Sequence, residues 1–136
     1  MTRKHLDLGC GLKLRNPYAA ELTFGCDIRD IDAGVKGIGF DYKKVNLVME
    51  PIPYPDNYFD SVSAYDFFEH VPRQVVLPNS EAVNPFINLM NEIHRVLVPG
   101  GRFFGSNARQ LHHGRYPRVF HGETACRCNV RVQRCF

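Results

Sequence analysis

Leu6-Asp7-Leu8-Gly9-Cys10-Gly11 decides the fold. His5-Leu6-Asp7-Leu8 is a short extended run, and Gly9-Cys10-Gly11 ends it in a sharp bend, a strand-then-turn signal. Glycines at such a bend let the backbone approach a ligand closely, and free N–H groups at the start of a following helix would favour a carboxylate or phosphate. Ligands in open α/β sheets bind outside the carboxyl ends of strands, where this bend falls. A dinucleotide fingerprint needs a third glycine at position 14, which is Leu14. The next extended run, Thr23 to Ile28, carries Asp27 sixteen positions after Gly11. A carboxylate there can accept two hydrogen bonds from the hydroxyls of a ribose.

Outward from this pair, Pro17 is placed to open a short helix over Tyr18–Leu22, and residues 29–43 read as a loop with at most a stunted helix. Val45 to Met49 is a third apolar run, stopped by Pro51, Pro53 and Pro55, and Phe59–Tyr65 reads as a fourth strand. Asn84 is a good N-cap and Pro85 suits the first helical position. Phe86, Ile87, Met90, Ile93 and Leu97 then fall on one face at helical spacing, with Arg95 near the C-terminus to complement the dipole. Pro99-Gly100-Gly101 ends that helix and leads into Arg102–Gly105, a fifth strand. Strands separated by crossovers argue for a mainly parallel α/β sheet.

Composition sets the bounds. The 136 residues, 44% hydrophobic and 23% charged, suffice for one domain and exclude a disordered, collagen-like or coiled-coil chain. No apolar stretch is long enough to span a membrane, and Met1 to Lys4 lacks the run that opens a signal peptide. The five cysteines therefore read as reduced thiols in the cytoplasm. Residues 1–105 carry a net charge of −2, whereas 106–136 carry six Arg, no Lys and only Glu123. The chain is expected to divide into a domain over 1–107 and an Arg/Cys-rich tail over 108–136, irregular or disordered. In that tail His112, His113, His121, Cys126, Cys128 and Cys135 are possible zinc ligands, but no second matched pair supports a site, so no metal is expected. Its arginines lack a folded motif or aromatic interleaving, so no specific nucleic acid is expected either.

The chain resembles the class I S-adenosylmethionine-dependent methyltransferases, in particular their small-molecule and glycan-type members. Four stretches in order carry the resemblance: Leu6 to Gly11, Gly25-Cys26-Asp27-Ile28, Pro51 to Val71, and Asn91 to Phe104. The most specific are Pro51-Ile52-Pro53-Tyr54-Pro55-Asp56-Asn57-Tyr58-Phe59-Asp60-Ser61-Val62 followed by Asp66-Phe67-Phe68-Glu69-His70-Val71, and Glu92-Ile93-His94-Arg95-Val96-Leu97-Val98-Pro99-Gly100-Gly101. The resemblance implies a Rossmann-like sheet of order 3-2-1-4-5, lacking the family's C-terminal strand hairpin, with S-adenosyl-L-methionine as cofactor. Gly9, Cys10 and Gly11 would wrap its methionine portion, with Asp7 orienting the ammonium group. Asp27 would hold the ribose hydroxyls and Ile28 pack on the adenine. Asn46 and Leu47 stand where the family reads the adenine amine; Asn46 replaces its usual Asp, keeping an acceptor without the charge. Asp66 and Phe67 would line the methionine side, and Tyr65 or Phe67 could face the cationic sulfur.

Glu69 and His70 are the nearest candidates for a base; the structural alternative is a hydrogen-bonded pair opening a helix after the fourth strand. The expected activity is methyl transfer to a small-molecule or glycan-type acceptor. The alternative is a truncated, catalytically inactive relative that still binds the cofactor. An exposed fifth strand would offer an edge for pairing with a second copy of the chain.

Overall fold

The computed structural model describes residues 1–31 and 40–106. Five strands form one all-parallel sheet: β1 (Lys4–Leu8), β2 (Leu22–Asp27), β3 (Asp41–Lys44), β4 (Phe59–Tyr65) and, after two short strands, β7 (Leu97–Ser106). Their spatial order is β3-β2-β1-β4-β7, so the expected order 3-2-1-4-5 holds with β7 as the fifth strand. This is a Rossmann-like fold. The short strands β5 (Val75–Val76) and β6 (Ala82–Val83), absent from the sequence reading, pair antiparallel as a hairpin before the helix α1 (Pro85–Val96).

The two faces of the sheet differ because residues alternate sides along each strand. Leu6, Leu8, Phe24, Cys26, Val62 and Ala64 form one buried apolar face, joined in a single core with Leu89, Ile93 and Val96 of α1. On the other face lie His5, Asp7, Ser61 and Ser63, all buried and in register as His5↔Ser61 and Asp7↔Ser63. The loop between β1 and β2 lies along that second face: Tyr18 meets the His5 ring edge-on and Arg15 lies over Tyr65.

Four local expectations need correction. The helix over Tyr18–Leu22 is not formed. Asn16 brackets Ala20 instead, accepting from its N–H at 3.0 Å and donating to its carbonyl at 2.8 Å, while Ala19 adopts φ 49°. Side-chain bonding of this kind competes with helix. The third strand is Asp41–Lys44, not Val45–Met49. Asn46 folds the apolar run into a turn: its Oδ1 accepts from Val48 N at 3.2 Å and its carbonyl from the N–H groups of Met49 and Glu50. Val45 and Leu47 then reach the core from a loop.

The helix begins as expected, with Asn84 Oδ1 accepting from Ile87 N at 3.1 Å ahead of Pro85. Its buried stripe, however, is Pro85, Leu89, Ile93 and Val96, while Ile87 is exposed. Phe86, Met90 and Leu97 are partly buried at the margin of the core. The helix also ends earlier, at Val96, and Leu97 already pairs with Phe59. Pro99-Gly100-Gly101 is therefore a bulge within β7, between the Phe59↔Leu97 and Ser61↔Arg102 pairs. Gly101 is required there, since a Cβ would come within 2.9 Å of the Val98 carbonyl oxygen. The division at 107/108 and the tail's possible zinc ligands lie outside the described residues.

Candidate functional site

The bend after β1 is built by bonds to the neighbouring strand. Gly9 N and Cys10 N both donate to Cys26 O, at 2.8 and 3.3 Å, and Gly11 N donates to Asp27 Oδ2 at 2.8 Å. Gly9 and Gly11 adopt φ of 66° and 54°, which side chains rarely tolerate. At Gly9 space is closed as well, because a Cβ would sit 2.5 Å from Cδ2 of the Phe67 ring. Gly25 leaves room for Cys10, whose Sγ lies 2.7 Å from the place of a Cβ. No helix follows the bend, so the expected helix N-terminus is not there to receive an anion, and all three bend amides are engaged within the fold.

Two carboxylates flank the bend. Asp27, 8% exposed at the end of β2, takes Gly11 N on Oδ2 and Arg29 N on Oδ1 at 3.0 Å. A carboxylate offers about four acceptor positions, so roughly two remain for a diol. Asp7, 2% exposed, accepts from Ser63 Oγ at 2.6 Å on Oδ1 and from Arg15 N at 2.8 Å on Oδ2. Burial raises its carboxyl above the ordinary range, and the two donors pull it back. Burial pushes the Cys10 and Cys26 thiols up to about 12, which leaves both protonated and unreactive at neutral pH.

Beside the bend opens a cleft of about 310 Å³ lined by Asp7, Gly9, Cys10, Gly11, Leu12, Lys13, Arg15, Arg29, Tyr65 and Asp66. Of the residues singled out from sequence, it gathers Asp7, Gly9, Cys10, Gly11, Tyr65 and Asp66. Asp66 is exposed, with φ 51°, and its N–H is tied to Ser106 O. Asp27 stands behind the lining, coupled to it through Gly11 and Arg29. Ile28 is 60% exposed beside it. Phe67 presses on Gly9 from outside the lining, its ring 6.0 Å from that of Phe68.

Asn46, Leu47, Glu69 and His70 do not line the cleft. The Asn46 side chain is folded into its own turn, and Leu47 borders a separate groove of about 330 Å³ between that turn and α1. Glu69 and His70 belong to a single 3-10 turn, Phe68–His70, rather than opening a longer helix. The His70 side chain is 74% exposed, with Nε2 4.0 Å from Glu69 Oε1. Tyr65 lines the cleft, with the Arg15 guanidinium 4.5 Å over its ring and the Phe104 ring, tilted, 4.9 Å away.

Sequence reasoning passed over Lys13, Arg15 and Arg29, which make the cleft rim basic. Their signal was the density of cations in the two connections that follow β1 and β2. Among the described residues no cluster of His, Cys, Asp and Glu could hold a metal, and no helix is long and apolar enough to cross a membrane.

A glycine bend joined to a carboxylate at the tip of the adjacent strand, beside a cleft at the carboxyl ends of a parallel sheet, is the arrangement of a Rossmann-like α/β domain, in which ligands bind at the carboxyl ends of the strands. The family described as "Methyltransferase domain" matches residues 6–105, and the chain belongs to it. The chain is similar to a S-adenosylmethionine-dependent methyltransferase from Mesorhizobium loti, at 22% identity and TM-score 0.58, over 76% of this chain and 46% of that one. It is similar to YcgJ of Bacillus subtilis at 21% identity and TM-score 0.56, over 77% and 44%. A SAM-dependent methyltransferase from Aquifex aeolicus aligns at 18% identity and TM-score 0.60, over 85% and 62%. The chain thus spans under half the length of the first two. No curated protein matches it. S-adenosylmethionine is the cofactor that family membership implies.

Proposed function

We propose that the chain binds S-adenosyl-L-methionine across the Gly9–Gly11 bend and Asp27, and transfers its methyl group to a small-molecule or glycan-type acceptor. The observation that carries this reading is the Gly11 N to Asp27 Oδ2 bond, which joins the bend to the carboxylate beside the cleft. The residues fit the cofactor's parts. Asp7 keeps acceptor positions for an ammonium, Asp27 keeps them for a ribose diol, and exposed Ile28 offers apolar surface for a base.

When bound, the cofactor supplies an electrophilic methyl group. The chain's own task is then to orient and to exclude water, and alignment alone is worth about 7–11 kcal/mol. With His70 and Glu69 away from the cleft lining, the reading favours an acceptor whose attacking atom needs no base from these two residues. That same placement favours, as a second reading, a catalytically inactive domain that still holds the cofactor.

Calorimetric titration with S-adenosylhomocysteine, followed by transfer of radiolabelled methyl to candidate acceptors, tests both. Binding with transfer supports the enzyme, and binding without transfer the inactive domain. Tight NAD binding without S-adenosylhomocysteine binding overturns both. The free, buried thiols of Cys10 and Cys26 support a reducing, cytoplasmic setting. Among the described strands β7 pairs only with β4, and pairing of its open edge with a second copy belongs to the same proposal, checked by sedimentation of the full chain.

A further inference from the structure

Behind Asp7 runs a line of buried polar side chains that the proposed reaction does not require. His5 and Ser63 are 0% exposed and Ser61 3%. His5 Nδ1 lies 2.7 Å from Ser61 Oγ, His5 Nε2 lies 2.9 Å from Ser63 Oγ, and Ser63 Oγ donates to Asp7 Oδ1 at 2.6 Å. The parallel register makes this possible, since His5↔Ser61 and Asp7↔Ser63 set the four residues side by side on one face. The opposite face of the same strands carries Leu6, Leu8, Val62 and Ala64. Apolar packing is therefore available to these strands, and a buried polar network in its place specifies a geometry.

The chemistry of the groups fixes the direction of the chain. An ionised Asp7 only accepts, so the Ser63 proton points at Oδ1. Ser63 Oγ must then accept from His5, which places the imidazole proton on Nε2. His5 Nδ1 is left to accept from the Ser61 hydroxyl. One neutral tautomer satisfies every group, and burial keeps the ring neutral by lowering its pKa to about 4. At the far end the chain reaches the cleft at one residue, Asp7, whose second oxygen is pinned by Arg15 N.

We propose that Ser63, held in turn by His5, is a positioning residue that aims the Asp7 carboxylate into the cleft and keeps it charged for a cationic ammonium ligand. The ligand's identity rests on the reading given under Proposed function; the control of Asp7 by Ser63 and His5 does not. The charged and titratable groups that face Asp7 are Arg15 from the β1–β2 loop, Cys10 from the bend, Tyr65 from β4 and His5 from its own strand, and of these Arg15 is the cation that pulls its carboxyl down. Only His5 reaches it through a hydroxyl.

The test is the titration of the Asp7 side-chain carboxyl by carbon NMR in the full chain, with S-adenosylhomocysteine affinity measured beside it. Ser63→Ala and His5→Phe are expected to move the Asp7 midpoint upward. They are also expected to weaken S-adenosylhomocysteine binding about tenfold, the effect of losing a hydrogen bond to a charged group. His5→Gln, whose amide restores a donor to Ser63, is expected to return both readings toward wild type. Ser63→Cys keeps the side chain's shape with a slightly larger atom and weakens the donor, and carries the same test if the alanine variant fails to fold. A purely structural role predicts lower melting temperatures with the Asp7 midpoint unmoved, and that result overturns the proposal. A moved midpoint in a chain that binds no S-adenosylhomocysteine leaves the positioning role standing and overturns the cofactor reading alone.

Discussion

The backbone N–H of Gly11 donates to Oδ2 of Asp27 across 2.8 Å, so the glycine bend of β1 and the acidic tip of β2 form one rigid unit. Asp27 Oδ1 meanwhile accepts from Arg29 N at 3.0 Å. In Asp27→Asn, one of these backbone donors must face an NH2 group. The variant is expected to lose about 1–3 kcal/mol of stability and to weaken S-adenosylhomocysteine binding at least tenfold. Urea unfolding and calorimetry measure the two effects.

Gly9 and Gly11 share a left-handed backbone but differ in their surroundings. A Cβ at Gly11 meets only the flexible Arg29 Nη1, at 3.3 Å, whereas at Gly9 it meets the Phe67 ring at 2.5 Å. Gly11→Ala is expected to cost about 1–2 kcal/mol from backbone strain, and Gly9→Ala clearly more. In a double-mutant cycle with Phe67→Ala, Gly9→Ala should cost less than it does in the wild-type background. An unchanged cost would show that the ring yields freely.

Stability should depend on pH through His5. Its pKa falls from 6.5 to about 4 on folding because the ring is buried, so between those values the unfolded chain binds the proton that the folded one refuses. Stability therefore rises with pH across this window, by about 3 kcal/mol in total, and is complete above pH 6.5. Glu92, lowered by Arg95, adds stability that is lost only as pH falls below the ordinary glutamate range. Asp7, raised by burial, has the opposite sign, since the native state keeps a proton the unfolded chain has released. In His5→Gln the rise between pH 4 and 6.5 should disappear from urea midpoints.

Arg95 ties α1 to the proline-rich connector. Its guanidinium donates to Glu92 Oε2 at 2.7 Å, to Asp56 Oδ1 and the Tyr54 carbonyl at 2.8 and 2.9 Å, and to the Ile52 carbonyl at 2.8 Å. An ammonium cannot span that fork. Arg95→Lys is expected to destabilise the chain by about 1–3 kcal/mol in urea unfolding, without changing the affinity of a folded chain for S-adenosylhomocysteine.

Much of the frame was legible because its signals are local. Asn84-Pro85 caps α1 and Phe59–Tyr65 forms β4 as their chemistry dictates. The third strand was misplaced because Val45 and Leu47 carry the apolar signal while Asn46 supplies a turn, and the real strand, Asp-Tyr-Lys-Lys, is a polar edge. The helix face was misjudged because apolar residues cover more than one stripe of α1. Contact with the sheet selects Leu89 and Val96 over Ile87. At the site, side chains betray Asp7 and Asp27, but Arg15 acts on Asp7 through its backbone amide, which no side-chain pattern reports. The helix expected after the bend fails through Asn16 and Ala19, two ordinary residues whose turn depends on local bonding.

The most direct measurement is a titration of the nitrogen-15-labelled full chain with S-adenosylhomocysteine, followed amide by amide. Saturable shifts at Gly9, Cys10, Gly11, Asp27, Ile28 and Asp66, abolished in Asp27→Ala, are the expected result. Absence of saturable shifts, or shifts confined to the groove formed by Leu47–Glu50 and Asn88–Glu92, would contradict the account.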